Sequence, residues 1–239
     1  MVSKNLRIFG ILFFTIGFLM GLVFWGSSVW ADLEASLFRA GHGANQVLYT
    51  IQCPLVITPS HSGTISMQFT NPTDRQRRES VRAFSTYGAR MLISEVHTIL
   101  PIEPGGEEIL TWPVYAEDAA WNSMVLFRVI IARSPPFDSR TASCGVMVIN
   151  LPQVSGNQIT GFMLLTSILG MAAGIGLSGF FSRPLFGIQL YLLRIMAGLA
   201  GLALVGMGVS ILGQWLLGGL LFIFTLLFTL VAIAYLIQH

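Results

Sequence analysis

Two rhythms of hydrophobic and polar residues divide this chain. Long apolar runs fill residues 8–25 and then Ile159–Phe181, Leu190–Leu212 and Trp215–Ile237. Each of the last three can cross a hydrocarbon layer of about 30 Å at about 1.5 Å per helical residue. Gly213 and Gln214 are almost all that separates the last two, which predicts a tight antiparallel helical hairpin. Ser182, Arg183 and Pro184 break the chain after the first. In residues 46–152 the rhythm changes to a period of two, the spacing of strands with one dry and one wet face.

Val47, Tyr49, Ile51, Cys53, Leu55 and Ile57 point one way along a single strand. Ile65, Met67 and Phe69 alternate with Thr64, Ser66, Gln68 and Thr70, and the pattern returns at Leu110, Trp112 and Val114. Val125, Phe127, Val129 and Ile131 form another row, and Cys144, Val146 and Val148 the last. Less regular strands are expected at Ser80–Tyr87 and Met91–Leu100. Asn71-Pro72-Thr73-Asp74 and Pro104-Gly105-Gly106 supply turn chemistry between the runs. Roughly seven short strands without a helical period predict an immunoglobulin-like β-sandwich, a likeness of architecture alone. Asp32–Ala40 reads either as a short surface helix capped by Asp32 or as plain linker, within a connecting segment of residues 32–45.

Composition turns these elements into a membrane protein. Of the 239 residues 54% are hydrophobic and 10% charged, against about a quarter charged in soluble domains. All eleven acidic residues lie between Asp32 and Asp138, and after Leu151 the only charged side chains are Arg183 and Arg194. With Lys4 and Arg7 before the first run, the positive-inside rule places both basic pairs in the cytoplasm. Residues 32–157 then lie outside the inner (plasma) membrane and the C-terminus lies inside. Arginine outnumbers lysine twelve to one and the insert has no glycosylation sequon, which together suggest a bacterial envelope.

Residues 1–31 admit two readings. Lys4 and Arg7, an apolar run, and Val29 and Ala31 at −3 and −1 make a signal-peptide pattern with a cut before Asp32. The run also approaches the length of a retained anchor, and Gly10, Gly17, Gly21 and Ser28 give it a small-residue face that a disposable label does not need. The same kind of face recurs at Gly170, Gly174 and Ser178 and at Ala197 and Gly201, so these are helix-packing candidates.

Catalytic chemistry is hard to assemble from what remains. Cys53 and Cys144 both fall in the outward insert and are expected to form a disulfide. Four scattered histidines, with none between Cys144 and Met147, offer no copper or zinc set. Glu103, Glu107 and Glu108 straddle a Gly-Gly turn as a solvated hairpin end, and Arg75, Arg77 and Arg78 form a charged loop that could meet anionic lipid or an acidic partner. The interiors of the three C-terminal spans lack Asp, Glu, Lys and His, which removes the reagents for proton relays, haem ligation and intramembrane proteolysis. No enzyme, cofactor, metal or nucleic-acid partner is expected. The expected role is an accessory or scaffolding subunit of a membrane complex, with other membrane subunits and the bilayer as partners. A pore or transporter component built by homo-oligomerisation, or an envelope sensor, is the alternative.

Overall fold

A computed structural model describes residues 2–38, 46–47, 51–132, 139–179 and 187–238. Arg183, His42, His239 and all of residues 39–45 lie outside the described residues, as does the side chain of Lys4. The chain forms two units, one from Met1–Val29 with Thr160–His239 and one from Trp30–Ile159.

The helical unit is built on α1 (Val2–Leu37), α2 (Gly156–Gly179), α3 (Ile188–Ile211) and α4 (Trp215–Gln238). Four stretches within these helices are long and apolar enough to cross a membrane: Asn5–Leu37, Gly156–Gly179, Gln189–Ile211 and Trp215–Tyr235. The turn between α3 and α4 closes on Gly213, whose φ of 70° suits a residue without Cβ. Its N–H donates to the Ser210 carbonyl at 2.9 Å.

This unit leaves many large apolar side chains outside, although Phe14, Phe18, Phe24, Trp25, Met171, Ile195, Leu199 and Met207 are buried within it. Ile8, Phe9, Ile16, Phe162, Leu165, Leu220, Leu230 and Val231 are exposed. Ser28, Ser167, Ser178, Ser210 and Thr225 are buried. Trp25 is the largest buried side chain, lying over Gly206, where any added Cβ would overlap the indole. Phe222 meets it edge-on with ring centroids 5.1 Å apart.

The other unit is a β domain. Its strands are β1 (Gln46–Val47), β2 (Ile51–Gln52), β3 (Val56–Ile57), β4 (Gly63–Thr70), β5 (Arg77–Tyr87), β6 (Leu92–Ile102), β7 (Glu107–Val114), β8 (Met124–Ala132) and β9 (Arg140–Val148). The larger sheet runs β1-β9-β8-β5-β6, with β3 also on β9, and the smaller runs β2-β4-β7. β1 and β3 pair with β9 in parallel, whereas the other ladders are antiparallel. One hydrophobic core takes Ile65, Met67, Phe69, Trp112 and Val114 from the smaller sheet and Val81, Ala83, Val125, Phe127, Val129, Ile131 and Val146 from the larger. Those residues include Ile65, Met67 and Phe69, then Trp112 and Val114, then Val125, Phe127, Val129 and Ile131 of the rows read from the sequence, whereas Tyr49 lies outside the described residues.

Two local expectations change. The described residues of 46–57 do not lie on one strand: they form β1, β2 and β3, of which β2 joins the smaller sheet and the others the larger. Pro54 sits at the switch and has no N–H to continue a ladder. Residues 32–37 are neither linker nor separate helix but the last turns of α1. Asp32 therefore caps no helix start, and α1 contributes residues to both units.

Candidate functional site

The end of α1 meets β8 and β9 through a small polar set within the β domain. β1 and β3 pair with the two ends of β9 and, among the described residues, leave its middle without a neighbouring strand on that side. The Asp32 carboxylate is buried there and accepts the Gly145 N–H at 3.0 Å. Gly145 is required by space, because a Cβ would overlap the Ala31 carbonyl. Beside it, the buried Arg128 guanidinium donates Nη1–H to the Ser36 and Phe38 carbonyls at 3.1 and 2.9 Å, and Nε–H to Thr141 Oγ1 at 3.1 Å. A cation on the last carbonyls of a helix satisfies orphan acceptors and complements the helix dipole. Burial pulls the Arg128 pKa below the usual arginine value.

Apolar contacts surround these hydrogen bonds. Ala35 and Phe38 pack with Phe84, Met124, Leu126 and Ile130. β8 is consequently buried on both faces, one row in the intersheet core and the other in this cluster. Thr86 completes the polar wiring by accepting the Leu126 N–H at 3.0 Å where the β5–β8 ladder ends.

A second constellation ties the turns together. Asn71 is buried, and its Nδ2 donates to the carbonyls of Arg75, Ile102 and Glu103 at 2.8, 3.0 and 3.1 Å. Its Oδ1 accepts from the Thr73 N–H and hydroxyl. The backbone adds Asn71 N–H to the Gly106 carbonyl and Gly105 N–H to the Asn71 carbonyl. The two turns read separately in the sequence are thus latched by one side chain, which sequence distance conceals.

Cys53 and Cys144 are bonded, with Cα atoms 6.5 Å apart and a sequence separation of 91. A loop of that size corresponds to about 4–5 kcal/mol in the chain-entropy model. A polar cleft of about 330 Å³ opens beside Cys53, with Gln52, His61, Ser62, Thr64 and Asn157 among its walls.

The other sequence candidates fall as follows. Gly17 and Gly170 lie in backbone contact, since a Cβ on Gly170 would stand 2.8 Å from the Gly17 Cα. A Cβ on Gly174 would stand 2.7 Å from the Gly10 carbonyl, one on Gly10 2.5 Å from Ser178 Oγ, and one on Gly21 2.5 Å from Ser167 Oγ. Gly17, Gly21, Gly170, Gly174 and Ser178 are therefore brought together on facing sides of α1 and α2. Ala197 and Gly201 are not: both are exposed on α3, and nothing lies within 4 Å of a Cβ on Gly201. Arg7 is half-buried and Arg194 exposed. Glu103 and Glu107 accept hydrogen bonds from Gln76 and Gln68, and Arg77 pairs with Glu79 at 2.9 Å. Among the described residues, no three of His, Cys, Asp and Glu form a metal-holding group.

No family model matches the chain, and no curated protein matches it. Among solved structures, the CARDB domain of a Pyrococcus furiosus protein in complex with di-metal ions is similar over 41% of this chain and 84% of that one, at 13% identity and a TM-score of 0.32. A Listeria innocua β-glucosidase in complex with glucose is similar at 14% identity and a TM-score of 0.29, over 41% of this chain and 15% of the enzyme. An alkylpurine DNA glycosylase from Pseudomonas fluorescens, bound to DNA containing an abasic site analog, is similar at 10% identity and a TM-score of 0.30. The match covers 41% of this chain and 30% of that one. This chain spans only a small part of either enzyme, and likenesses of this strength transfer no activity or ligand.

Proposed function

We propose that this chain is an integral membrane protein of a bacterial envelope. Its four helices cross the inner membrane, and its β domain, an immunoglobulin-like sandwich, stands outside as an interaction module. The observation that carries the reading is a helical unit that leaves Ile8, Phe9, Ile16, Phe162, Leu165, Leu220, Leu230 and Val231 exposed and makes its closest helix contacts at Gly and Ser. Helices in lipid gain nothing from hiding leucine and associate instead through close backbone approach at small residues. In water, the same exposed apolar surface would drive aggregation.

The basic residues set the direction of insertion. Lys4 and Arg7 precede the first span, and Arg183 and Arg194 flank the short α2–α3 connection, so both belong on the cytoplasmic side. The N-terminal segment stays attached in this reading. Gly17 and Gly21 supply packing to α2 and Trp25 fills a socket at Gly206, while past the signal-peptidase-like position Asp32 and Ala35 complete the β domain.

The role is that of an accessory subunit. The β domain exposes Tyr87, Leu92, Ile93, Ile99, Ile109 and Trp121, apolar and aromatic side chains of the kind that partner interfaces use. The test is purification from the native membrane in mild detergent, with mass spectrometry of intact subunits. A reproducible set of other membrane proteins, together with a chain of uncleaved mass, supports the reading. A chain recovered without any other protein overturns the accessory role, and a mass lacking residues 1–31 overturns retention.

A further inference from the structure

We propose that β6 is a self-pairing edge, joining two copies of this chain antiparallel about a twofold axis through Val96. β6 ends the larger sheet, paired on one side by β5 over eleven consecutive positions and with no strand on the other among the described residues. Natural edges are guarded by charged side chains, lysine above all, by a bulge, a proline or a covering element. On β6 the single acidic or basic side chain at neutral pH is Glu95, there is no lysine, the register with β5 is uninterrupted, and Pro101 is next to last. Leu92, Ile93, Val96 and Ile99 are 48–62% exposed on this strand.

The identity of the occupant is written in the strand itself. Residues 92–100 read Leu-Ile-Ser-Glu-Val-His-Thr-Ile-Leu, a chemical palindrome centred on Val96. Antiparallel pairing about that centre sets Leu92 against Leu100, Ile93 against Ile99, Ser94 against Thr98, and Glu95 against His97. Apolar meets apolar, hydroxyl meets hydroxyl, and a carboxylate meets an imidazole. Such cross-strand pairs are the units of sheet stability, and an isologous contact repeats each of them twice.

Backbone phase agrees with this centre. Pro101 has no N–H, so it fits an edge strand only with its nitrogen turned away from the neighbour, here β5. Odd positions of β6 then direct N–H and C=O outward. Carried through the ladders to β9, the same phase turns the Gly145 N–H to the open side, where Asp32 accepts it. In the dimer, Ile93–Ile99 and Glu95–His97 become hydrogen-bonded pairs, and Val96 faces its own copy in a non-hydrogen-bonded pair with Cα atoms about 4.5 Å apart. Pro101 falls outside the paired stretch. His97 keeps its contact with Ser80 Oγ at 2.9 Å, on the same strand pair. The pairing does not depend on the accessory role proposed above.

The experiment is site-directed disulfide formation in the full chain in its native membrane. Cys53 and Cys144 are already bonded, so an introduced thiol has no competitor. Val96→Cys is expected to shift the chain to twice its monomer mass on a non-reducing gel under mild oxidation, since the separation suits a disulfide. Ser94→Cys is expected to remain monomeric, because the two copies of residue 94 are offset by roughly 13 Å along the strands. The double change Ser94→Cys with Thr98→Cys is expected to restore the dimer. Adding Ile99→Lys to Val96→Cys is expected to lower the cross-linked fraction several-fold, at an exposed position where the monomer fold is not disturbed. A Val96→Cys chain that stays monomeric, one that cross-links to a different protein, or equal cross-linking at positions 94 and 96 would each overturn the proposal.

Discussion

The helical unit and the β domain solve the same packing problem with different residues at their closest contacts. In the β domain the interior is Val, Ile, Phe and Trp, and strands facing outward carry Thr, Gln, Glu and Arg. In the helical unit the closest backbone contacts belong to Gly10, Gly17, Gly170, Gly174 and Ser178, and leucines and isoleucines such as Ile16, Leu220 and Leu230 face out while Phe14, Trp25, Ile195 and Leu199 stay inside. The difference teaches that burial follows the solvent rather than the residue. Where water is outside, removing apolar area from it drives assembly. Where lipid is outside, that drive vanishes and contact distance between backbones decides.

The comparison can be broken most severely at the helix contact. Gly17→Leu puts a side chain into the backbone of Gly170 and Met171. The expected outcome is loss of the monodisperse peak on size exclusion after detergent extraction. Gly176→Leu, where nothing lies within 4 Å of the added Cβ, keeps it. Overpacking forces backbone shifts, and a contact between two backbones leaves less room to relax than a flexible side chain does.

Removing the disulfide comes next and touches only the β domain. Paired Cys53→Ser and Cys144→Ser changes are expected to destabilise that domain by about 4–5 kcal/mol, from the 91-residue separation. Proteolysis of the β domain with and without reductant checks this. The helical fragments are expected to resist equally in both conditions.

A smaller effect is expected at the polar set beneath α1. Asp32→Ala leaves the buried Gly145 N–H without its acceptor, at a cost of about 1–3 kcal/mol. Asp32→Asn retains a carbonyl oxygen for that donor and is expected to recover most of the loss. Thermal melts of the purified variants separate the two. At the other extreme, Leu230→Ala removes an exposed side chain from α4 and is expected to change extracted yield and melting temperature by no more than ordinary surface substitutions do, about 0.5 kcal/mol. A soluble bundle with Leu230 in its core would lose several times that amount.

Legibility in the sequence followed how strongly each segment feels a single solvent. The long apolar helices were plain because lipid-length runs need no partner to be recognised. Ile65, Met67 and Phe69 were plain because β4 has one wet face and one dry face. β8 showed only half of its surroundings: Val125, Phe127 and Val129 announced the core, but nothing local said that Leu126, Arg128 and Ile130 are covered by Ala35 and Phe38. β6 gave a weak alternation for the reverse reason, since most of it is exposed on both faces. Asp32 looked like a helix start because its partner, Gly145, is 113 residues away. The stretch from Gln46 to Ile57 alternated like one strand, yet Pro54 and the move between sheets cut it into three. The cysteine pairing was accessible from number and placement alone. The pairing of Gly17 with Gly170 was not, since small-residue spacing marks a face without naming what it meets.

The most direct test of the account is sidedness. Thr111 is exposed on β7 and Asn5 is exposed near the start of α1. With the native cysteines bonded, Thr111→Cys and Asn5→Cys each provide one thiol for a membrane-impermeant reagent. The account predicts that the thiol at position 111 is labelled in intact cells and the thiol at position 5 only after the membrane is permeabilised. Labelling at position 5 in intact cells, with position 111 protected until permeabilisation, would contradict it.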